Sequence, residues 1–195
     1  MGGFSGSTGT VLISGGYLVV DASGDGLDSN GTLEITGGIT LVSGPTNSGN
    51  GTLDYENSAQ ITGGTLMAIG SSGMAQSIGS TGERGVLACT LTKQSGGTSF
   101  IVLDSDGKVV VSFTPAKAYN CAVVTSPNMI AGNTYSVVVG GTVEGADENG
   151  HAANTTYTGG TLLGSLEISN GTSTSGMMGG GGGGRPGGNR PGGGW

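Results

Sequence analysis

DSNGTLEITGG (residues 28–38) and DYENSAQITGG (residues 54–64) have the same length and end on the same four residues. A shorter version, LISGG, ends at Gly16, so the glycine doublet recurs at steps of 22 and 26 residues. Superposing the two long stretches sets Asp28 on Asp54, Leu33 on Ala59 and Ile35 on Ile61. Each doublet is followed by another short apolar run: YLVVDAS, ITLVSGP and TLMAIGS. A period of this length, holding several strands and no helical stripe, predicts units that stack on one another. The expected form is a right-handed parallel β-helix, in which equivalent positions line up as ladders along the axis. Glycine pairs then sit at the corners, where the backbone turns sharply. The competing arrangement is an antiparallel meander of hairpins turned at Gly-Gly. The long matched stretches favour coils.

Residues 1–84 are therefore assigned to β-helix coils, and the repeat stops there. Residues 85–172 read as antiparallel strands, making an all-β, sandwich-like segment expected to close the open end of the coils. Within it, LDSDGKV is a hairpin signal, because Asp-Gly suits a type I′ turn; Asp104 and Asp106 are read as turn residues. SPNMIAGNTYSV reads as the approach to an edge strand. Residues 173–195 include GMMGGGGGGRPGGNRPGGGW, which has no apolar period to pack and is expected to be disordered.

Composition excludes several classes of partner. Glycine fills 45 of 195 positions and charged residues only 10%, with a net charge of -7 and just 6 Lys and Arg. No basic footprint for nucleic acid exists. No apolar run is long enough to span a bilayer, so membrane insertion is not expected. The opening MGGFSGSTGT lacks the basic and apolar parts of a secretion signal. We read the chain as starting partway into a longer protein whose signal lies upstream. Cys89 and Cys121 fall in separate strands and fit either a disulfide or two small buried apolar residues.

The chemistry-bearing stretch is DASGDGLDSNG (21–31), where Asp21, Asp25 and Asp28 crowd together. Its start matches the first half of an EF-hand loop, but Thr32 stands where the bidentate Glu belongs, and no flanking helices are expected. Stacking supplies what the loop lacks. It brings Asp28 and Asp54 about 5 Å apart, and aligning GDGLD with GNGTLD sets Asn50 beside Asp25. Asp21, Asp25, Asp28, Asn50 and Asp54 thus form a candidate calcium cluster, because neighbouring carboxylates repel unless a cation neutralises them. The same residue types also favour a wet turn with no metal.

Catalysis finds less support. Residues 1–83 contain no Lys, Arg or His, Arg84 stands at the junction, and His151 reads as a solvated loop histidine. GSSGMAQSIGS (70–80) lacks the Lys-Ser/Thr of a phosphate loop. Tyr17 and Tyr55 are candidates to present a flat apolar face to a sugar ring. Tyr119, Tyr135 and Tyr157 are assigned to core or rim.

DGLDSNGTLEITGG, TLVSGPTNSGNGTLDYE and ITGGTLMAIGSSGMAQS resemble the C-terminal coils of a family of secreted bacterial carbohydrate-binding β-helix proteins. That family is similar in fold to calcium-dependent pectate lyases. FTPAKAYNCAVVTSP, GNTYSVVVGG and YTGGTLLGSLEIS resemble its closing β-rich segment. The resemblance covers about residues 10–172. It implies a secreted or cell-surface location, calcium, and a plant-type or acidic polysaccharide as partner. Its aspartate ladder maps onto Asp25, Asp28 and Asp54. The lyases' basic catalytic residue has no counterpart in 1–83, so a binding module is expected rather than an enzyme. A structural or adhesive surface module and a lyase fragment are the alternatives. The Gly-Arg-Pro tail suggests a spacer facing the bacterial cell wall.

Overall fold

Short runs of Val, Ile, Leu and Thr between glycines become strands throughout. The computed structural model describes residues 9–170 together with the strand Met177–Met178, and among these the fold is all-β with no helix. The strands follow in chain order. The first nine are β1 (Thr10–Ile13), β2 (Tyr17–Asp21), β3 (Leu27–Ser29), β4 (Thr32–Ile35), β5 (Ile39–Ser43), β6 (Leu53–Tyr55), β7 (Ser58–Ile61), β8 (Thr65–Gly70) and β9 (Gly79–Ser80). After them come β10 (Leu87–Gln94), β11 (Phe100–Leu103), β12 (Val109–Phe113), β13 (Tyr119–Thr125) and β14 (Thr134–Val139). The last five are β15 (Thr142–Val143), β16 (Ala152–Thr155), β17 (Tyr157–Thr158), β18 (Thr161–Glu167) and β19 (Met177–Met178).

The 22- and 26-residue steps of the sequence are the register offsets of the first eight strands. β1, β4, β7 and β9 pair in parallel, with Ile13 beside Ile35 and Ile35 beside Ile61. β2, β5 and β8 do the same, through Val20, Val42 and Ala68. β3 and β6 form a third parallel pair, Leu27 beside Leu53 and Asp28 beside Asp54. Inward positions alternate with outward ones, as the two-residue period of a strand requires. Leu33, Ile35, Leu53 and Ile61 are fully buried, and Val11, Ile13, Leu18 and Val20 pack against the same core half-covered. The Gly-Gly corners also stack: Gly16, Gly38 and Gly64 share a left-handed backbone with φ of 82°, 84° and 80°.

Beyond β9 the pairing turns antiparallel, except that β19 joins β10 in parallel. β13 lies against β8 and β10 against β13, which extends the β2–β5–β8 sheet into six strands, with β19 at its far edge. The expectation of disorder for 173–195 otherwise falls outside the described residues. Five further strands form an antiparallel sheet in the order β16–β12–β11–β14–β18. The central strands of the six-stranded sheet therefore have two dry faces. Val42, Leu66, Ala68 and Val123 point into the core of the parallel strands. Leu41, Met67, Ile69 and Val124 point the other way and pack with Phe100, Val111, Phe113 and Tyr135 of the five-stranded sheet and its flanks. This explains why TLMAIG is apolar almost without interruption: every residue of β8 is buried.

Two local expectations are corrected. The β11–β12 turn is not type I′, since only Gly107 takes a positive φ, at 77°. Gly107 N–H donates to Asp104 C=O, and the Asp104 carboxylate accepts from the amides of Asp106 and Lys108. That is a type I turn closed by a left-handed glycine, the usual longer hairpin loop. Asp104 and Asp106 do lie in this turn. β14 is not an edge strand, because β11 and β18 flank it.

Cys89 and Cys121 are both free and buried. They sit on neighbouring strands one residue out of opposition, Cys89 beside Ala122 and Cys121 beside Thr90. Their side chains consequently leave opposite faces of the sheet. Burial, with the other thiol nearby, pushes Cys89 up to about 12, and burial pushes Cys121 up to about 11. A thiol-specific reagent at neutral pH should therefore modify neither cysteine in the native protein and both in denaturant. Rapid labelling of the native protein would contradict this packing.

Candidate functional site

The aspartates of DASGDGLDSNG part company in the fold. Asp28 and Asp54 stand side by side on β3 and β6, whose spacing is about 4.8 Å. Burial raises the Asp54 carboxyl above the usual aspartate range, and the charges of Asp25 and Asp28 raise it further. The three carboxylates therefore share one electrostatic neighbourhood. Asp25 is also a structural acceptor, taking the Gly51 amide at 2.7 Å.

Asn50 does not join them as expected. Gly26 N–H donates to Gly51 C=O and Leu27 N–H to Thr52 C=O, so the constant offset places Asp25 beside Gly51. The Asn50 side-chain amide turns instead to the Asn47 carboxamide oxygen at 2.9 Å. Asp21 ends β2 in a different sheet, where its carboxylate meets the Lys117 ammonium at 2.6 Å. Among the described residues, no three His, Cys, Asp or Glu side chains gather as a metal-binding group. Calcium's hard-oxygen preference suits Asp28 and Asp54, but the ion takes about six to eight oxygens. The donor chemistry fits; the shell is partial.

The two tyrosines differ. Tyr55 is half-buried against the core of the parallel strands, and its hydroxyl donates to Ser77 C=O at 2.9 Å. It is a packing residue. Tyr17 is 44% exposed, and its hydroxyl donates to the Asp147 carboxylate. Its ring meets His151 edge-on, with centroids 6.2 Å apart. His151 is not a solvated loop residue: it is 9% exposed, and burial lowers its pKa against the pull of Asp147. Burial alone would raise Asp147, but the Tyr17 hydroxyl and the amides of His151 and Asn149 outweigh it and hold the carboxyl low.

These contacts frame a cleft that local sequence patterns do not announce. It measures about 460 Å³ and lies where the outer face of β2 and β5 meets the loops after β12 and before β16. Val19 and Phe113 give it apolar wall, and Asp21, Asp147, Glu148 and Asn149 give it polar rim. Lys117 reaches this corner from the loop before β13, bonding the Ala22 carbonyl as well as Asp21. The run ADENG (146–150) supplies most of the rim, and in the sequence it reads like any solvated loop. Comparison with protein-family models, curated proteins and solved structures finds no match for this chain.

Proposed function

We propose that the chain is a non-catalytic, calcium-dependent carbohydrate-binding module for uronate-containing polysaccharide. In this reading the parallel strands are coils of a right-handed β-helix closed by the antiparallel segment, on a secreted or surface protein. The observation that carries it is the in-register pair Asp28 and Asp54, with Asp25 close enough to raise Asp54. Two carboxylates held at ladder spacing gain from a divalent cation. A partial oxygen shell suits an ion shared with a second set of carboxylates, which a uronate chain supplies. Asp28 and Asp54 would hold the ion, and the ion would neutralise both partners. Lys117, the cation nearest Asp21, is already engaged, which favours holding a glycan over cleaving it.

The sign of the Asp54 effect gives a sharp test. A folded-state pKa raised above the unfolded value means the folded chain holds that proton more tightly. Stability then falls as pH rises from the ordinary aspartate range through the raised value. At neutral pH in EDTA, Asp54→Asn should therefore melt higher than wild type. With calcium the order should narrow or reverse, because wild type gains RT ln(1 + [Ca]/Kd) and the variant loses a ligand. Immobilised polygalacturonate should retain wild type saturably in calcium and release it in EDTA, with Asp28→Asn and Asp54→Asn retained weakly. Equal melting of wild type in the two buffers would leave the ladder a wet turn. No retention by polygalacturonate would favour a structural or adhesive module.

A further inference from the structure

The cleft beside Tyr17 belongs to neither the aspartate pair nor the calcium reading, and its chemistry is different. Its volume, about 460 Å³, is that of a small-ligand site. Its floor is the outer face of β2 and β5, and residues 113–116 and 147–150 wall it along one side. Val19 is 43% exposed on the outer face of β2, an apolar surface left uncovered where Leu41, one strand along, is fully buried. Polar groups surround that surface: the carboxylates of Asp21, Asp147 and Glu148, and the Asn149 carboxamide.

The charge state of the rim decides the ligand class. Asp21 is matched by Lys117, and Asp147 by the Tyr17 hydroxyl and the amides of Asn149 and His151. Both keep free lone pairs that accept from hydroxyl groups. Among the described residues neither Asp147 nor Glu148 faces a charged cation, but both are exposed to solvent, so a cationic ligand gains little from them. An anionic ligand meets three carboxylates and no free cation on the lining. What remains is a neutral ligand with many hydroxyl donors and an apolar face.

We infer that this cleft is a calcium-independent subsite for a neutral pyranose. The ring's C–H face lies on Val19, and its hydroxyls donate to Glu148, Asp21 and Asp147. Asn149 supplies both a donor and an acceptor. The loop bearing Glu148 and Asn149 is pinned at its base by the Asp147 bonds, so the rim is preorganised and little ordering entropy is lost on binding. This subsite goes beyond the uronate reading and does not rest on it.

The test is an amide-resolved NMR titration of the whole chain in EDTA with glucose, galactose, mannose and cellobiose, and with galacturonate and glucosamine as charged counterparts. At least one neutral sugar should shift the Asn149 and Gly150 amides saturably, and the charged sugars should shift them less. Glu148→Ala, at an exposed position, should keep the spectrum and weaken binding about tenfold, the loss of one charge-assisted hydrogen bond. Val19→Asp should abolish the shifts. Absence of a saturable shift with every neutral sugar would overturn the proposal, as would shifts mapping elsewhere. Binding of galacturonate or glucosamine as tight as that of the best neutral sugar would overturn it equally. Because EDTA is present throughout, none of these outcomes bears on the aspartate pair.

Discussion

Gly64→Ala should destabilise the chain by about 3 kcal/mol or more, because two independent costs meet at one corner. The backbone there is left-handed, with φ of 80°. An added Cβ would also lie 2.4 Å from the Gly38 carbonyl oxygen, a backbone atom that Thr65 N–H already uses at 2.8 Å. Neither neighbour can swing aside as a flexible side chain would. Gly16 is the internal control. Its φ is 82°, yet an added Cβ meets nothing within 4 Å. Gly16→Ala should therefore lose only the conformational part, about 1–2 kcal/mol. Urea unfolding with unchanged slope measures both. Equal losses at the two positions would show that stacking of the corners contributes nothing.

The second large effect lies on the inward ladder Ile13–Ile35–Ile61. Ile35 has neighbours on both sides and no exposure, so Ile35→Ala should cost about 2–5 kcal/mol through lost transfer energy and an unfilled cavity. Ile13 occupies the same position one step up, but it is only partly covered. Some of its transfer energy is already forfeited in the folded state, and Ile13→Ala should cost clearly less than Ile35→Ala. Thermal and urea midpoints of the two variants decide it. A cost at Ile13 matching that at Ile35 would mean that something covers the first strand in solution.

The register of the parallel strands was readable because it depends on identity at a fixed spacing. ITGG aligned with ITGG puts Asp28 beside Asp54 and Ile35 beside Ile61, and the backbone pairs them so. The alignment of Asp25 with Asn50 failed by one residue. It matched glycine to glycine across GDGLD and GNGTLD, whereas the hydrogen bonds keep a constant offset and set Asp25 beside Gly51. Residue likeness is a weaker guide than ladder geometry wherever glycine and asparagine abound. The cleft was not readable at all. Asp21, Lys117 and Asp147 come from three distant segments, and a long-range ion pair leaves no local pattern. His151 was misjudged for the same reason: the ring that helps bury it is Tyr17, at the other end of the chain.

The antiparallel seam between β8 and β13 has a consequence for how the chain is made. β8 ends at Gly70, and the strand that satisfies its outer edge begins only at Tyr119. At a synthesis rate of roughly 5–20 residues per second, that edge stays unpaired for a few seconds after it emerges. During this time β8 presents an apolar run on both faces and a row of free amides and carbonyls. The nearest strand of similar shape is then β8 of a neighbouring nascent chain. Closure also needs a long loop, whose entropy must be lost before the pairing rewards it. Folding of this molecule is thus a race between its own β13 and another copy's edge, and crowding of ribosomes on one message tilts the race toward aggregation.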